Sequence, residues 1–578
     1  LTEERLTGVV WSLVREDGVE LGARGTADAA RGLVLRPDAR VHVGSIAKTV
    51  VALAILRRVT QGELDLEAPV AELLPGLPID NPWAATHPLR LRHLLDMTGG
   101  LDDVRLWQVF SVRNEPDVPL ADVLQRDPGL LRLRTPPGTR FSYSNAGFTL
   151  AAKVLEADVG ERYETWIARE VLRPLGMEDS TLLYVAATRG GTDAADGDAR
   201  LAWGHVEGGV PVITPPLAVR PAAQFVTTAA DMARLAAFLL GDGLVRGERF
   251  VDADLLRALG SPAGTDAANA GLRSGYALGL YSRDRHGAIG GCHGGSTAGF
   301  RALICVYPER RRAFFVAHNT DREGAAYERF DERLVRALGV AAPLETPAAG
   351  PVPAEERAWN GRYVPAPSRH SQVELADRLF GAWTLSLDAG GGTLATAAGT
   401  ARPLVRTGTR LYRQDGRTRA SLVLLGDASA PRIATGTLTL RRIGWLERSA
   451  LWMVAGGGVA GLAWWLLAPV VRRFRHGAAP WRSPGWWAVV ALLLAGAGLA
   501  AQPWQRLGDP TVASVALAGA TLLLPLLLAW QGVCSWRRLH AAPATWGARV
   551  DLVAAASALA FCALLGAFGL WPVLLWDL

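Results

Sequence analysis

The first part of the chain alternates between short apolar strands and longer apolar helices. Residues 8 to 26 carry alternating apolar positions around an Asp17-Gly18 turn signal, which predicts a β-hairpin. From Ser45 the chain is almost continuously apolar as far as Val59, and this predicts a helix that is buried on most of its sides. Residues 146 to 159 have the same helical spacing. The pattern predicts a mixed helix and strand domain.

Further along, the pattern predicts a capped helix and two paired strands. Thr228 with Asp231 resembles the start of a helix that runs over residues 232 to 240. Residues 300 to 307 and 313 to 317 predict neighbouring antiparallel strands. The glycine-rich stretch from Gly290 to Ser296 predicts a sheet edge at which the backbone approaches another segment closely.

The next part is an Ala/Pro-rich stretch followed by short alternating runs. Residues 341 to 355 have the composition of a linker. Residues 356 to 445 contain several short strands that are separated by Gly/Asp turns, and they predict a small β-barrel or sandwich. We see no chemistry in this module and expect a spacer or a lid.

The C-terminal part is far more apolar. Its four apolar runs are close to the ~20 residues that cross a bilayer, and they cover residues 450–471, 485–501, 512–533 and 552–575. Thirteen of the 20 tryptophans lie from Trp445 onward, many at the ends of these runs, as in the aromatic belts of membrane proteins. We therefore predict a transmembrane domain of about four helices over residues 449–578. The spans show no obvious cluster of ionisable residues.

Arginines are distributed unequally between the predicted connections. The first connection contains Arg472, Arg473, Arg475 and Arg482, and the third contains Arg537, Arg538 and Arg549. The middle connection has only Arg506, beside Asp509. By the positive-inside rule the first and third connections face the cytoplasm, and the N-terminal domain is then extracytoplasmic. We expect an export signal that this numbering does not include.

Composition excludes some function classes. Of 578 residues 49% are hydrophobic, and mean hydropathy is +0.15. The net charge of +6 comes from scattered arginines rather than a basic block, so we expect no nucleic-acid partner. The four cysteines have no metal-ligand spacing, and we predict no metal and no cofactor. Cys292 and Cys305 could form a disulfide in an oxidising compartment or remain as buried thiols.

One short motif carries chemistry. Lysine occurs only at Lys48 and Lys153, and Lys48 follows Ser45 by three residues, on the same helix face. Arginine stays protonated in proteins, whereas a desolvated lysine can lose its proton. Ser45 is therefore a candidate nucleophile at the first turn of a helix, and Lys48 is a candidate base.

Three motifs in order resemble a known superfamily. Ser45-x-x-Lys48, Tyr143-x-Asn145 and His293-Gly294-Gly295 resemble the serine β-lactamase and penicillin-binding-protein superfamily, and most of all its class C β-lactamase-like branch. The resemblance covers residues 6 to 338, within a predicted domain of residues 1–340. It implies an α+β fold: an antiparallel sheet flanked by helices, plus a helical subdomain.

The resemblance also implies roles for individual residues. Ser45 would be the acylated nucleophile, Lys48 its proton acceptor, and Tyr143 the second base, which protonates the leaving group. The remaining residues would bind substrate or stabilise the oxyanion, with backbone amides of Ser45 and Ser296 forming the oxyanion hole. Asn145 would hold either the Lys48 ammonium or the substrate's amide. These binding residues are Asn145, His293, Gly295 and Ser296. Taken alone, Tyr143 would be a core tyrosine and Asn145 a cap residue.

One departure concerns the substrate. Penicillin-recognising members usually carry Lys-Thr-Gly where this chain has His293-Gly294-Gly295, so a permanent cation is missing. A histidine is mostly neutral near pH 7, which suits an ester or amide substrate without a carboxylate at that place. Taken alone, His293 would be a hydrogen-bonded structural residue.

These features predict a membrane-anchored extracytoplasmic serine hydrolase in the inner membrane of a bacterium. It would form an acyl-enzyme at Ser45 and cleave an amide, such as a D-amino-acid-containing peptide, or an ester; its partners would be a small-molecule or peptide substrate and the lipid bilayer. One alternative is a prodrug-activating peptidase of a natural-product pathway. Another is a penicillin or peptidoglycan sensor that is acylated slowly and does not turn over.

Overall fold

The computed structural model describes residues 1–187, 197–341, 350–476, 483–541 and 546–578. The chain forms two compact units. The first consists of residues 1–104, 115–361 and 384–441, and the second of residues 105–114, 362–383 and 442–578. Most of the predicted linker, residues 342–349, lies outside the described residues.

An eight-stranded antiparallel sheet forms the centre of the first unit. Its strands are β1 (Gly8–Arg15), β2 (Gly18–Asp28), β3 (Leu33–Val34), β4 (Tyr276–Ala277), β5 (Leu280–Arg285), β6 (Ala288–Thr297), β7 (Phe300–Tyr307) and β8 (Arg312–His318). They lie side by side in the order β4-β5-β6-β7-β8-β1-β2-β3. The first hairpin and the β7–β8 pair are confirmed. Because β1 pairs with β8, the two ends of the domain sequence meet inside one sheet.

Trp11 shows how side-chain size sets the register of the first hairpin. Trp11 of β1 lies opposite Gly22 of β2. A Cβ atom at Gly22 would lie 2.1 Å from the Trp11 ring, so only glycine leaves room for the indole there.

Helices pack on and around this sheet in the first unit. The longer ones are α1 (Ala47–Thr60), α2 (Asn145–Val159), α3 (Ala229–Leu239) and α4 (Glu328–Leu338). The short ones are Val70–Leu73, Leu91–Leu95, Leu120–Gln125, Tyr163–Ile167, Arg220–Ala223, Ala253–Ala258 and Asp266–Asn269. All ten residues from Ala47 to Leu56 are buried, as the unbroken apolar pattern predicts.

Short strand pairs complete the loops of this unit. Val41–His42 pairs with Val226–Thr227, Gly204–Val206 with Val210–Val212, Leu244–Val245 with Glu248–Arg249, and Ala186–Ala187 with Gly197–Asp198. The first pair lies just before the turn that carries Ser45.

Cys292 and Cys305 form a disulfide between neighbouring strands. Cys292 of β6 lies directly opposite Cys305 of β7. Both are buried in a core cluster with Phe314 of β8 and Leu338 of α4. Of the two states that the sequence allows, the structure has the bridged one.

The predicted β module is a closed barrel of eight strands. They are β9 (Gly361–Pro365), β10 (Trp383–Asp388), β11 (Gly391–Ala395), β12 (Ala401–Gly408), β13 (Leu411–Gln414), β14 (Leu422–Leu425), β15 (Arg432–Ala434) and β16 (Thr439–Arg442). Its inward positions are apolar and buried, for example Leu385, Leu404 and Ile433. Closure leaves no free sheet edge.

Four apolar helices dominate the second unit: α5 (Trp445–His476), α6 (Pro484–Ala500), α7 (Val512–Ala541) and α8 (Trp546–Ala567). Three of them, over Trp445–Phe474, Val512–His540 and Trp546–Ala567, are long and apolar enough to cross a membrane. The fourth predicted span, α6, has 17 residues and is shorter. Residues 477–482 and 542–545, including Arg482, lie outside the described residues.

A buried carboxylate joins three of these helices, which the sequence did not indicate. Asp551 of α8 is 2% exposed. It forms an ion pair with Arg472 of α5 and accepts a hydrogen bond from Trp464 Nε1 at 2.8 Å, and Arg538 of α7 is 4.0 Å away. The charged members of this cluster lie just outside the apolar runs 450–471, 512–533 and 552–575, so the expectation that those runs hold no ionisable cluster stays a prediction. The missing signal is spatial, because these residues are far apart in sequence.

Residues 105–114 pack with the connection between α6 and α7. Ser111 Oγ donates to Asp509 Oδ1 at 2.5 Å, and the Gly508 N–H donates to the Phe110 carbonyl at 2.8 Å. Phe110 also packs edge-on against Trp504, with ring centres 5.8 Å apart. This segment includes the short helix Leu106–Val109, and the other short helix of the second unit is Glu374–Phe380.

Candidate active site

Ser45 lies in a tight turn that leads directly into α1. The chain forms a short 3-10 helix over Gly44–Ile46 and continues as α1 from Ala47. Lys48 is one turn further on, and its Nζ lies 3.0 Å from Ser45 Oγ. The predicted pairing of these two side chains is therefore present.

Lys48 is fully buried, and oxygen atoms surround its amine. Its exposed fraction is 0%. Nζ donates to Ser45 Oγ at 3.0 Å, to Asn145 Oδ1 at 2.6 Å and to the Ala222 carbonyl at 2.7 Å. These three acceptors match the three N–H donors of an ammonium group. They come from separate parts of the chain and fix the position of Nζ.

Tyr143 is the second group at the nucleophile. Its hydroxyl donates to Ser45 Oγ at 3.0 Å, and Lys48 Nζ lies 5.0 Å from the centre of its ring. Tyr143 comes two residues before α2, whose N-terminus is capped by Ser144. Ser45 Oγ is thus equally close to two groups that can accept its proton. One of them can do so when Lys48 is a neutral amine or Tyr143 is a phenolate.

The backbone of the Ser45 turn touches strand β6. A Cβ atom at Gly295 would lie 1.8 Å from the Val43 carbonyl and 2.8 Å from the Ser45 nitrogen. A Cβ atom at Gly44, whose φ is +53°, would lie 2.7 Å from the Ser296 nitrogen. Only glycine at these two positions permits this approach, which brings the main-chain amides of Ser45 and Ser296 close to each other. The oxyanion-hole role of these amides remains a prediction.

His293 of β6 is buried. It is 1% exposed. Nδ1 is 2.7 Å from the Gly294 carbonyl, and Nε2 is 3.2 Å from the Tyr276 hydroxyl. Burial, with Lys48 nearby, lowers the pKa of His293 to about 3, so the ring is neutral. Because both nitrogens have protein partners, substrate contact through this ring is an untested prediction.

Three residues at the site escaped the sequence reasoning. Ala222 contributes a backbone carbonyl, for which residue type gives no signal. Asp103 binds Asn145, and Tyr276 binds His293. The adjacent acids at 102 and 103, just after an apolar run, are the one signal that could have indicated Asp103.

Asp96 is a buried carboxyl near these residues. It accepts a hydrogen bond from the Leu278 N–H at 2.8 Å. Burial raises its pKa from 3.8 to about 7. The next residue, Met97, has a φ of +53°.

Among the described residues, no group of three His, Cys, Asp or Glu side chains could hold a metal ion. The chemistry available at the site is nucleophilic, because the Ser45 hydroxyl lies beside backbone amides and at hydrogen-bond distance from an amine and a phenol, either of which can accept its proton after losing its own. The fold and this constellation define a serine hydrolase of the acyl-enzyme type.

Comparison with known proteins identifies the family. Residues 1–339 match the Beta-lactamase family, and the chain belongs to it. It is 35% identical over 192 residues to Esterase EstB of Burkholderia gladioli, covering 31% of this chain and 48% of that protein. It is 26% identical over 342 residues to a D-aminopeptidase of Cereibacter sphaeroides, covering 57% and 60%. The chain thus spans only about half of each of these two relatives.

A crystal structure of SurE has a similar fold. The TM-score is 0.51 at 22% sequence identity, and the likeness covers 76% of this chain and 96% of that one. At this identity the likeness concerns the fold alone.

Replacing Lys48 by arginine tests its role as a base. Lys48→Arg keeps the positive charge but removes a group that can give up its proton, so we expect the acylation rate of Ser45 to fall about 10²-fold or more. The rate is measured with an active-site-directed fluorophosphonate. Lys153→Arg, which changes the only other lysine, should acylate normally. Unchanged acylation in a folded Lys48→Arg protein would contradict the role.

Asp96 should make stability depend on pH. Because the folded-state pKa is raised, the native protein retains a proton that the unfolded chain has released, and this contribution to stability is lost as pH rises from about 4 to about 7. Asp96→Asn still offers an acceptor to Leu278 but does not titrate. Its unfolding midpoint should fall less over this range than that of the wild type.

The measurement is thermal unfolding of both proteins between pH 4 and pH 8. His93, whose pKa burial lowers to about 4, titrates in the same range with the opposite sign, but it is present in both proteins and cancels in the comparison. Exposed Asp122→Asn serves as the control. Parallel curves for wild type and Asp96→Asn would refute the prediction.

Proposed function

We propose that this protein acylates Ser45 and hydrolyses either an amide of a D-amino-acid-containing peptide or an ester. The observation that carries the proposal is the position of Ser45 Oγ, 3.0 Å from both Lys48 Nζ and Tyr143 Oη. A general base at hydrogen-bond distance is what activation of a serine requires.

In acylation, Ser45 Oγ attacks the substrate carbonyl as its proton passes to the Lys48–Tyr143 pair. The amides of Ser45 and Ser296 stabilise the oxyanion of the tetrahedral intermediate, with an effect of ~3 kcal/mol for one donor. The carbon–nitrogen or carbon–oxygen bond then breaks, and the leaving group takes the proton from the same pair. Water repeats the sequence in reverse, releasing the acid and returning the proton to Ser45.

The substrate class follows from charge. His293 stands where relatives that recognise penicillin carry lysine, and its pKa of about 3 makes it neutral at pH 7. The site therefore offers no cation at this position to a substrate carboxylate. The names of the relatives, an esterase and a D-aminopeptidase, support an ester or a D-aminoacyl amide.

We further propose a place in the bacterial inner membrane, with the hydrolase domain outside the cytoplasm. The apolar helices support anchoring. The connections after α5 and after α7 are rich in arginine and the α6–α7 connection is not, which by the positive-inside rule supports a cytoplasmic side for the first two and an extracytoplasmic side for the hydrolase domain. The Cys292–Cys305 disulfide also fits an oxidising compartment.

Ser45→Ala tests the reaction. One sample of the full-length protein in detergent is labelled with a fluorophosphonate, and a separate untreated sample is assayed on D- and L-aminoacyl amides, p-nitrophenyl esters and a chromogenic cephalosporin. We expect a Ser45-dependent adduct and turnover of esters or D-aminoacyl amides in preference to the cephalosporin. A Ser45-dependent adduct without turnover of any of these substrates would favour a sensor. The absence of a Ser45-dependent adduct would exclude both the hydrolase and the sensor.

Cysteine labelling tests the membrane orientation. Gln505→Cys in the α6–α7 connection and Arg473→Cys at the end of α5 are compared in a background without the two free cysteines, Cys534 and Cys562. A membrane-impermeant maleimide applied to intact spheroplasts should label only Gln505→Cys. Labelling of Arg473→Cys alone would reverse the proposed orientation.

A further inference from the structure

Asp103 is a buried acid that contacts the active-site residue Asn145. It is 0% exposed and has no place in the proposed chemical steps. Its Oδ1 accepts two hydrogen bonds from Asn145, one from the backbone N–H at 2.8 Å and one from side-chain Nδ2 at 2.7 Å. The opposite atom of the same amide, Asn145 Oδ1, accepts from Lys48 Nζ at 2.6 Å.

These contacts fix the orientation of the Asn145 amide. A carboxylate only accepts hydrogen bonds, so it requires Nδ2 on its side. The reversed amide would put Oδ1 against the Asp103 carboxylate and Nδ2 against the Lys48 amine, which gives two repulsive contacts in a buried place. With Asp103 present, the acceptor therefore faces Lys48.

The position of Asp103 is also favourable for a charge. Asn145 is the first residue of the 15-residue helix α2. Its backbone N–H has no acceptor within the helix and belongs to the positive end of the helix dipole. The neighbouring acid, Asp102, pairs with Arg134 at 3.1 Å, and its carbonyl accepts from Ser144 Oγ at 2.6 Å. Two adjacent residues thus hold the first turn of α2 by separate contacts.

We propose that Asp103 is a positioning residue for the Lys48 amine. Its carboxylate orients Asn145, and Asn145 in turn holds Nζ at Ser45 Oγ. The inference rests on the proposed function, because it concerns the rate at which Ser45 becomes acylated. It assigns no contact with substrate to Asp103.

The test measures acylation of the full-length protein by a fluorophosphonate at several concentrations. Asp103→Ala removes the acceptor and lets the Asn145 amide turn, so we expect the maximal rate of inactivation to fall about 10- to 100-fold with little change in the concentration for half-maximal rate. Asp103→Asn keeps an oxygen acceptor of the same shape and should recover much of this loss. The recovery separates orientation from a general loss of packing.

Asp284→Ala is the matched control. Asp284 is also buried, and its Oδ2 accepts two backbone hydrogen bonds, from Thr418 at 2.7 Å and Arg419 at 2.9 Å. Its loss should lower the unfolding midpoint but not the acylation rate. Combining Asp103→Ala with Asn145→Ala should cost no more than Asn145→Ala alone, because one acts through the other.

The outcomes separate this inference from the function on which it rests. If wild type forms no adduct at Ser45, the proposed function fails. If wild type is labelled but Asp103→Ala acylates within about twofold of it, or slows only as much as Asp284→Ala, the positioning role is refuted. Additive losses in the double variant would also refute it. If Asp103→Ala does not fold, Asp103→Ser, which also removes the carboxylate, takes its place in each of these comparisons.

Discussion

The first unit depends on the hydrogen bonds that allow the Lys48 amine to be buried. A lysine without solvent is costly unless oxygen atoms replace the water. Here the oxygen atoms come from the Ser45 turn, from the start of α2 and from the short helix around Ala222. Three distant segments must converge before the amine can be buried, so the same contacts stabilise the fold and prepare the nucleophile.

The sequence predicts those parts of the fold that depend on neighbours along the chain. The buried helix α1, the first hairpin, the β7–β8 pair and the apolar C-terminal helices follow from local periodicity and hydropathy. The Ser45–Lys48 contact follows from their spacing on one helix. The meeting of α2 with Lys48 was accessible only through the resemblance to a known superfamily, since periodicity says nothing about which helices meet.

What the sequence did not predict depends on backbone atoms or on long-range partners. The Ala222 carbonyl has no side-chain signature. Asp551 with Arg472, and Ser111 with Asp509, are separated by 79 and 398 positions. The glycines of β6 did predict a close backbone approach, and the structure identifies the approached segment as the turn at Val43. The predicted edge position is wrong, because β6 pairs with β5 on one side and β7 on the other.

The residues around Ser45 and those of strand β6 differ in how closely they specify the chemistry of the site. On the nucleophile side, Ser45, Lys48 and Tyr143 are fixed by short contacts that suit any acyl transfer. On the β6 side, burial keeps His293 neutral, and its two ring nitrogens lie at hydrogen-bond distance from the Tyr276 hydroxyl and the Gly294 carbonyl. A charged substrate group would have to be met by other residues at this side. The short contacts at Ser45 therefore specify acyl transfer more closely than the buried, neutral side chain of His293 specifies a substrate.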